Sequence, residues 1–178
     1  MTILDQVSAT SRSIVQQTVD KESVNYIEAG MLYAMVTTGR YHVAVLSVFH
    51  NHAQEPQLRQ LIKEAIDNLS EKTVKKCEAL LLTGDAKIPS VRFPEHPLEN
   101  RLDIPSAARL TDMEIAMILV NMHGASQVAL VAGISQGYQL EIASELRNQL
   151  NIALDWGYRL QQLMLHRGWL PEMAKVEH

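Results

Sequence analysis

The sequence predicts an all-α fold, a bundle of four long helices preceded by a short N-terminal one, and three observations predict it. Ala, Leu, Gln, Glu and Met are plentiful while aromatics are only 5% of the 178 residues, a helix-forming mixture. Apolar residues recur at helical spacing in four stretches of similar length, and no window alternates as a strand would. Four of the six prolines fall together in residues 85–110, so one connection is long and the others are short.

The first bundle helix is expected over residues 23–54. Ser23 and Asn25 are its candidate caps, and Asn25 stands three residues before Glu28, the spacing of a capping box. Pro56 suits the first turn of a second helix over 56–83, whose apolar stripe runs Leu58, Leu61, Ile62, Ala65, Ile66, Leu69 and stops near Gly84-Asp85. So short a connection makes the two helices antiparallel. Residues 85–110 hold Pro89, Pro94, Pro97 and Pro105, and no useful helix survives them. Thr111-Asp-Met-Glu114 is a capping box opening a third helix over 111–136. Gly137-Tyr138 interrupts it, and a fourth helix covers 140–167 with Gly168 as a left-handed C-cap and Pro171 beyond.

Helices of roughly 25–32 residues span about 40–48 Å. An extended segment of about 26 residues reaches that far, which makes helix 2 parallel to helix 3. This is the one-crossover, ferritin-like arrangement of a four-helix bundle. The alternatives are a crossover packed at one end, giving up-down topology, or two hairpins that pair between chains. Residues 1–178 read as one domain. Residues 1–20 carry Ile3, Val7, Ile14 and Val19 at loosely helical spacing, as an accessory helix on the bundle or a partner, or as a floppy tail.

Composition narrows the function. A net charge of −4 and a pI near 6.0 argue against a nucleic-acid-binding surface. The lone Cys77 builds neither an internal disulfide nor a cysteine zinc site. Its neighbours Lys75 and Lys76 could lower its thiol pKa, but an inert, partly buried thiol is the favoured reading. The start, MTILDQVSATSRS, lacks the basic and apolar regions of an export signal. No apolar run is expected to reach the roughly 20 residues that cross a bilayer, so no membrane insertion is expected and the default location is cytoplasmic.

Histidine raises the one chemical question, because YHVAVLSVFHNHAQEP puts His42, His50 and His52 in one helix. At 100° per residue His42 falls in the apolar arc defined by Met31, Met35, Leu46 and Phe49, whereas His50 and His52 point to opposite flanks. Arg40 and Asn51 mark the polar side. Glu28 faces inward but stands about 21 Å along the axis from His42, too far to share an ion. A di-iron bundle needs a Glu from each of two helices and Glu-x-x-His from the other two. No Glu in this chain has His three residues on. Glu64, Asp67, Glu71 and Glu78 lie off the second helix's stripe, Asp112 and Glu114 cap the third, and Glu141 and Glu145 sit on the fourth's polar side. His42 and His123 remain the candidate metal ligands, with Asn68 and Gln149 at similar height. A hydrogen-bonded, register-fixing role for this group is favoured over ligation. His52 is expected to contact backbone or water. Neither a cofactor nor a catalytic residue is assigned, and an enzyme is not the favoured reading.

In GASQVALVAGISQG, small residues at 124, 125, 126, 129, 132 and 133 let a neighbouring helix approach, or leave room for an apolar ligand. Close packing is the favoured reading. The first helix is apolar around most of its circumference, so the N-terminal segment, the crossover or a second subunit must cover it. A homodimer is expected.

Three stretches together resemble a family of spore-forming bacteria labelled "putative spore coat protein", related to the coat F group. They are NHAQEPQLRQLIKEAIDNLSEKTVKK, the proline-bearing crossover into LTDMEIA, and LMLHRGWLPE. The resemblance spans about residues 23–173 and implies a ferritin-like bundle with a structural, coat-associated role. Other coat proteins are then possible partners and the spore coat a possible location. It also implies His where this chain has Thr73, and that departure weakens a histidine-based metal site. The expectation is a self-associating structural protein. The alternatives are a divergent metal binder with a mononuclear or degenerate site, and a carrier of an apolar small molecule.

Overall fold

A computed structural model describes residues 23–99 and 103–170. The accessory helix expected over 1–20 lies outside the described residues. Five α-helices form the four rods of an all-α bundle, with no strand among the described residues.

Helix α1, Tyr26–His52, opens on the expected capping box. The Asn25 side chain accepts the N–H groups of Ile27 and Glu28, each at 2.9 Å, and Glu28 accepts that of Asn25 at 3.2 Å. Of the two candidate caps, Asn25 is therefore the one used. The helix stops at Ala53, which is extended.

The second rod is continuous but not uniform. Helix α2, Pro56–Glu64, passes into a π-helical segment, Ala65–Glu71, and then into α3, Lys72–Thr83. A π turn holds more residues than an α turn, so repeated steps of four keep facing one way. Ile62, Ile66 and Ser70 are all buried on that account. A uniform advance of 100° per residue therefore mispredicts directions along this segment. Asn68, expected at a height similar to that of His42, accepts from Lys72 Nζ at 2.6 Å on the rod's own surface. Asp85 takes the left-handed conformation that ends the rod (φ 59°), and Gly84 lets Val24 cross at close range.

The crossover runs along α1 from one end to the other. Arg40 donates to the carbonyls of Pro89 and Val91 at 2.6 and 2.8 Å, and pairs with Glu78 at 2.5 Å. Further along, Asn51 donates to the Pro97 carbonyl and accepts from the Glu99 N–H. Arg40 and Asn51 are thus the crossover's anchors, and the Arg40 side chain is covered rather than solvated. A single 3-10 turn, Ser106–Ala108, precedes α4, Asp112–Gln136, which opens on the Thr111–Glu114 capping box. Helix α5, Leu140–His166, completes the bundle, with Gly168 at φ 67° just beyond it.

Contacts at both ends fix the topology. Asp112, at the start of α4, accepts the N–H groups of Gln54 and Glu55, just past the end of α1, at 2.7 and 3.1 Å. Glu28, at the start of α1, accepts those of Tyr138 and Gln139, just past the end of α4, both at 2.8 Å. Helix α4 is therefore antiparallel to α1 and parallel to the second rod, which is the one-crossover connection.

The core divides in two. Leu46, Phe49, Leu58, Ile115, Trp156 and Leu160 belong to one cluster, and Leu32, Val36, Leu81, Ile142 and Leu146 to the other. Leu69 packs against both.

One expectation about α4 is corrected. The stretch Ser106–Gln136 is long and apolar enough, by length and composition, to cross a membrane, with a mean hydropathy of 1.6 over 18 residues. No charged residue occurs between Glu114 and Glu141, and single polar residues such as Asn121 and Ser126 had concealed how apolar the run is. One side of α4 still serves as core, through Ile115, Ala116, Leu119, Leu130 and Gly133.

Candidate functional site

Helices α1 and α4 are fastened at their ends and gape between them. A cleft of about 340 Å³ lies in the gap, where the two core clusters meet. Met31, Met35 and His42 line it from α1, and Met122, His123, Ala129 and Gly133 from α4. Leu69 and Thr73 of the second rod and Gln149 and Trp156 of α5 form its floor.

The two histidine candidates therefore meet at one site. A Cβ on Gly133 would touch Met31 and Met35, at 2.6 and 3.0 Å. Ten residues back along an antiparallel helix, His123 stands level with His42 by the rise of an α-helix. His42 makes no hydrogen bond to another described residue; its ring leans on Tyr41, with centroids 5.8 Å apart. His123 packs on Trp156 at 5.0 Å, and its Nε2 shares a hydrogen bond with Gln127 Nε2 at 2.8 Å. Burial pushes both imidazoles below the ordinary 6.5, favouring the neutral form. Gly157 makes room for His123, since a Cβ there would collide with its Nε2.

The remaining polar groups of the floor are also neutral. Thr73 Oγ1 donates to Gln149 Oε1 at 3.1 Å, and Gln149 Nε2 donates to Glu145 Oε1 at 2.9 Å. Glu145 lies outside the cleft and faces Lys76 at 3.6 Å. Among the described residues, no Asp, Glu, Lys, Arg or Cys lines the site.

The other described histidines lie elsewhere. His50 is buried, 3.3 Å from the Asn51 side chain, and is held below its ordinary pKa chiefly by that burial. His52 Nδ1 accepts the Leu110 N–H at 3.2 Å, the backbone contact expected of it. His96 and His166 are exposed. Glu28 does face inward, but both its oxygens are taken by backbone N–H groups. Glu64, Asp67, Glu71 and Glu78 each pair with a cation, Arg159, Lys63, Lys75 and Arg40 respectively. Among the described residues no group of three or more His, Cys, Asp or Glu side chains could hold one ion.

The small residues of α4 divide between two roles. Gly133 packs closely, as expected, with a hypothetical Cβ 2.8 Å from Leu146, and also lines the cleft. Ser126, Ala129 and Ala132 border the cleft, and Gly124 faces open space. Sequence reasoning missed the cleft because small residues permit either outcome.

The profile of the family described as "Protein of unknown function (DUF3231)" matches residues 13–177. The chain belongs to the DUF3231 family. This DUF3231 chain is similar to "Uncharacterized protein YvdQ" of Bacillus subtilis (strain 168), with 24% identity over 149 residues, 84% of this chain and 86% of that protein. It shares its fold with the crystal structure of "a putative spore coat protein (BH2358)" from Bacillus halodurans C-125. The TM-score is 0.80 at 24% identity, over 88% of this chain and 98% of the other. The coat description of that protein agrees with the resemblance read from the sequence.

Proposed function

We propose that this chain is a non-enzymatic, coat-related structural protein that self-associates through the outer face of α4. One observation carries the reading. Met113, Met117, Val128 and Val131 follow one another at helical spacing on the side of α4 turned away from the cleft, and all are exposed, Val128 at 70% and Val131 at 50%. A stripe this apolar, in a helix with no charge between residues 114 and 141, favours burial against an equally neutral surface. A second copy of the chain supplies such a surface in a two-fold dimer. The coat description of the Bacillus halodurans protein supports the setting, and the one-crossover topology is that of ferritin-like bundles. On this reading the protein is made in the cytoplasm and deposited with coat material.

Sedimentation velocity of the purified chain across a wide concentration range tests it. The expected result is a dimer or larger assembly that dissociates in Val128→Asp/Val131→Asp with the helical circular dichroism unchanged. A monomer at every concentration, or an assembly indifferent to the two substitutions, overturns the proposal. So does a chain that partitions onto lipid vesicles through this face instead of pairing.

A further inference from the structure

We propose that the cleft between α1 and α4 binds an uncharged, largely apolar small molecule bearing a hydroxyl or carbonyl group. The polar end lies at His42 and His123, and the chain runs toward Met31 and Met35.

The volume, about 340 Å³, is that of a small-molecule site between bundle helices, which range over about 300–1,000 Å³. The ten residues from His123 to Gly133 give it a length of roughly 15 Å, long enough for a medium-length alkyl chain. Its walls are mostly aliphatic, and the thioethers of Met31, Met35 and Met122 adapt to irregular apolar shapes.

The lining selects against charge. Among the described residues no cation meets a carboxylate there and no anion meets an ammonium group, so a charged ligand would lose its hydration without compensation. A neutral oxygen does find partners. His42 has both ring nitrogens, and His123 its Nδ1, free of protein hydrogen bonds among the described residues. Thr73 Oγ1 donates to Gln149 and can still accept. This site is distinct from the outer face of α4, which points the opposite way, so the two readings stand or fall separately.

Decan-1-ol, decanoate, decylammonium and decane are the probes, titrated calorimetrically into the full chain at neutral pH, the two ions below their micellar limits and the two neutral probes below their solubilities. The alcohol is expected to bind saturably, one per chain, and about tenfold or more tighter than either ion. Ala129→Phe, and independently Ala34→Phe, fill the cleft from its exposed rim and should weaken the alcohol about tenfold with the helical signal intact. His42→Leu should weaken the alcohol several-fold while leaving decane unchanged, a split that a purely structural role would not produce. Val128→Asp/Val131→Asp should leave binding as it was. Equal affinity for alcohol and ions, no saturable binding of the alcohol, or indifference to both Phe substitutions overturns the proposal.

Discussion

Glu28 accepts the backbone N–H of Gln139 at 2.8 Å across 111 residues of sequence. The same oxygen takes the N–H of Tyr138, and at the far end of the bundle Asp112 accepts those of Gln54 and Glu55, one on each carboxylate oxygen. Each helical hairpin thus offers a first-turn carboxylate to the turn of the other. Glu28 is 1% exposed, so its three N–H partners stand in for water.

Removing either carboxylate orphans two turn N–H groups. Glu28→Ala is expected to cost about 3 kcal/mol and Glu28→Gln about 1, since the amide keeps one acceptor. Asp112→Ala should cost about 1–2 kcal/mol, and the double variant should be additive because the sites are far apart. Urea midpoints at constant m-value measure each. A Glu28→Ala chain as stable as the parent would refute the clamp.

Two glycines in α1 should respond oppositely to alanine. Gly30 has open space around a new Cβ, so Gly30→Ala should stabilise by about 0.5–1 kcal/mol. At Gly39 the Cβ would meet Val74 Cγ2 at 2.5 Å, so Gly39→Ala should destabilise by about 1–3 kcal/mol. Val74→Ala added to Gly39→Ala should recover much of the loss. Thermal melts that rank the two alanine variants the other way would contradict the packing of α1 on α3.

Stability should fall with acidification well before the carboxylates titrate. His42, His50 and His123 are held below 6.5, chiefly by burial, so the unfolded chain binds protons that the folded one refuses. Their contribution is present above the unfolded value of 6.5 and is lost as pH falls through the lower folded values. Urea midpoints at pH 7.5, 6.5 and 5.5 should decline in that order, the slope easing in His42→Gln/His123→Gln. A flat or rising series would count against burial as the cause.

Cys77 should be chemically silent. Burial first, then the charges of Glu145 and Glu78, push its thiol up to about 12, opposite to the lowering that Lys75 and Lys76 could have produced. At pH 8 iodoacetamide should label the folded chain on the order of a thousandfold more slowly than the unfolded one. Equal rates would mean that the α3–α5 contact opens readily.

Helix ends were legible in the sequence wherever a side chain writes them. Asn25 with Glu28, Thr111 with Glu114, Pro56 and Gly168 each sit at the boundary they mark. The crossover was legible because its prolines forbid helix and its length matches the rods. The π segment was not, for nothing in the composition or spacing of Ala65–Glu71 sets it apart from an α-helix. Arg40 reads as a surface cation, and only the path of the crossover buries it. His42 and His123 were recognised one by one, but the cleft between them is a volume left over by four helices. The outer stripe of α4 was hidden by uniformity, since a helix apolar on every side gives no sign of which side lacks a neighbour.

The reciprocal clamps have a mechanical consequence. Helices α1 and α4 are pinned to each other's hairpins at both ends, like two beams fixed at their supports, and such beams deflect most at midspan. His42 and His123 stand close to the midpoints of Tyr26–His52 and Asp112–Gln136. Bowing of this pair therefore widens the bundle where the imidazoles stand, while its two ends keep their spacing.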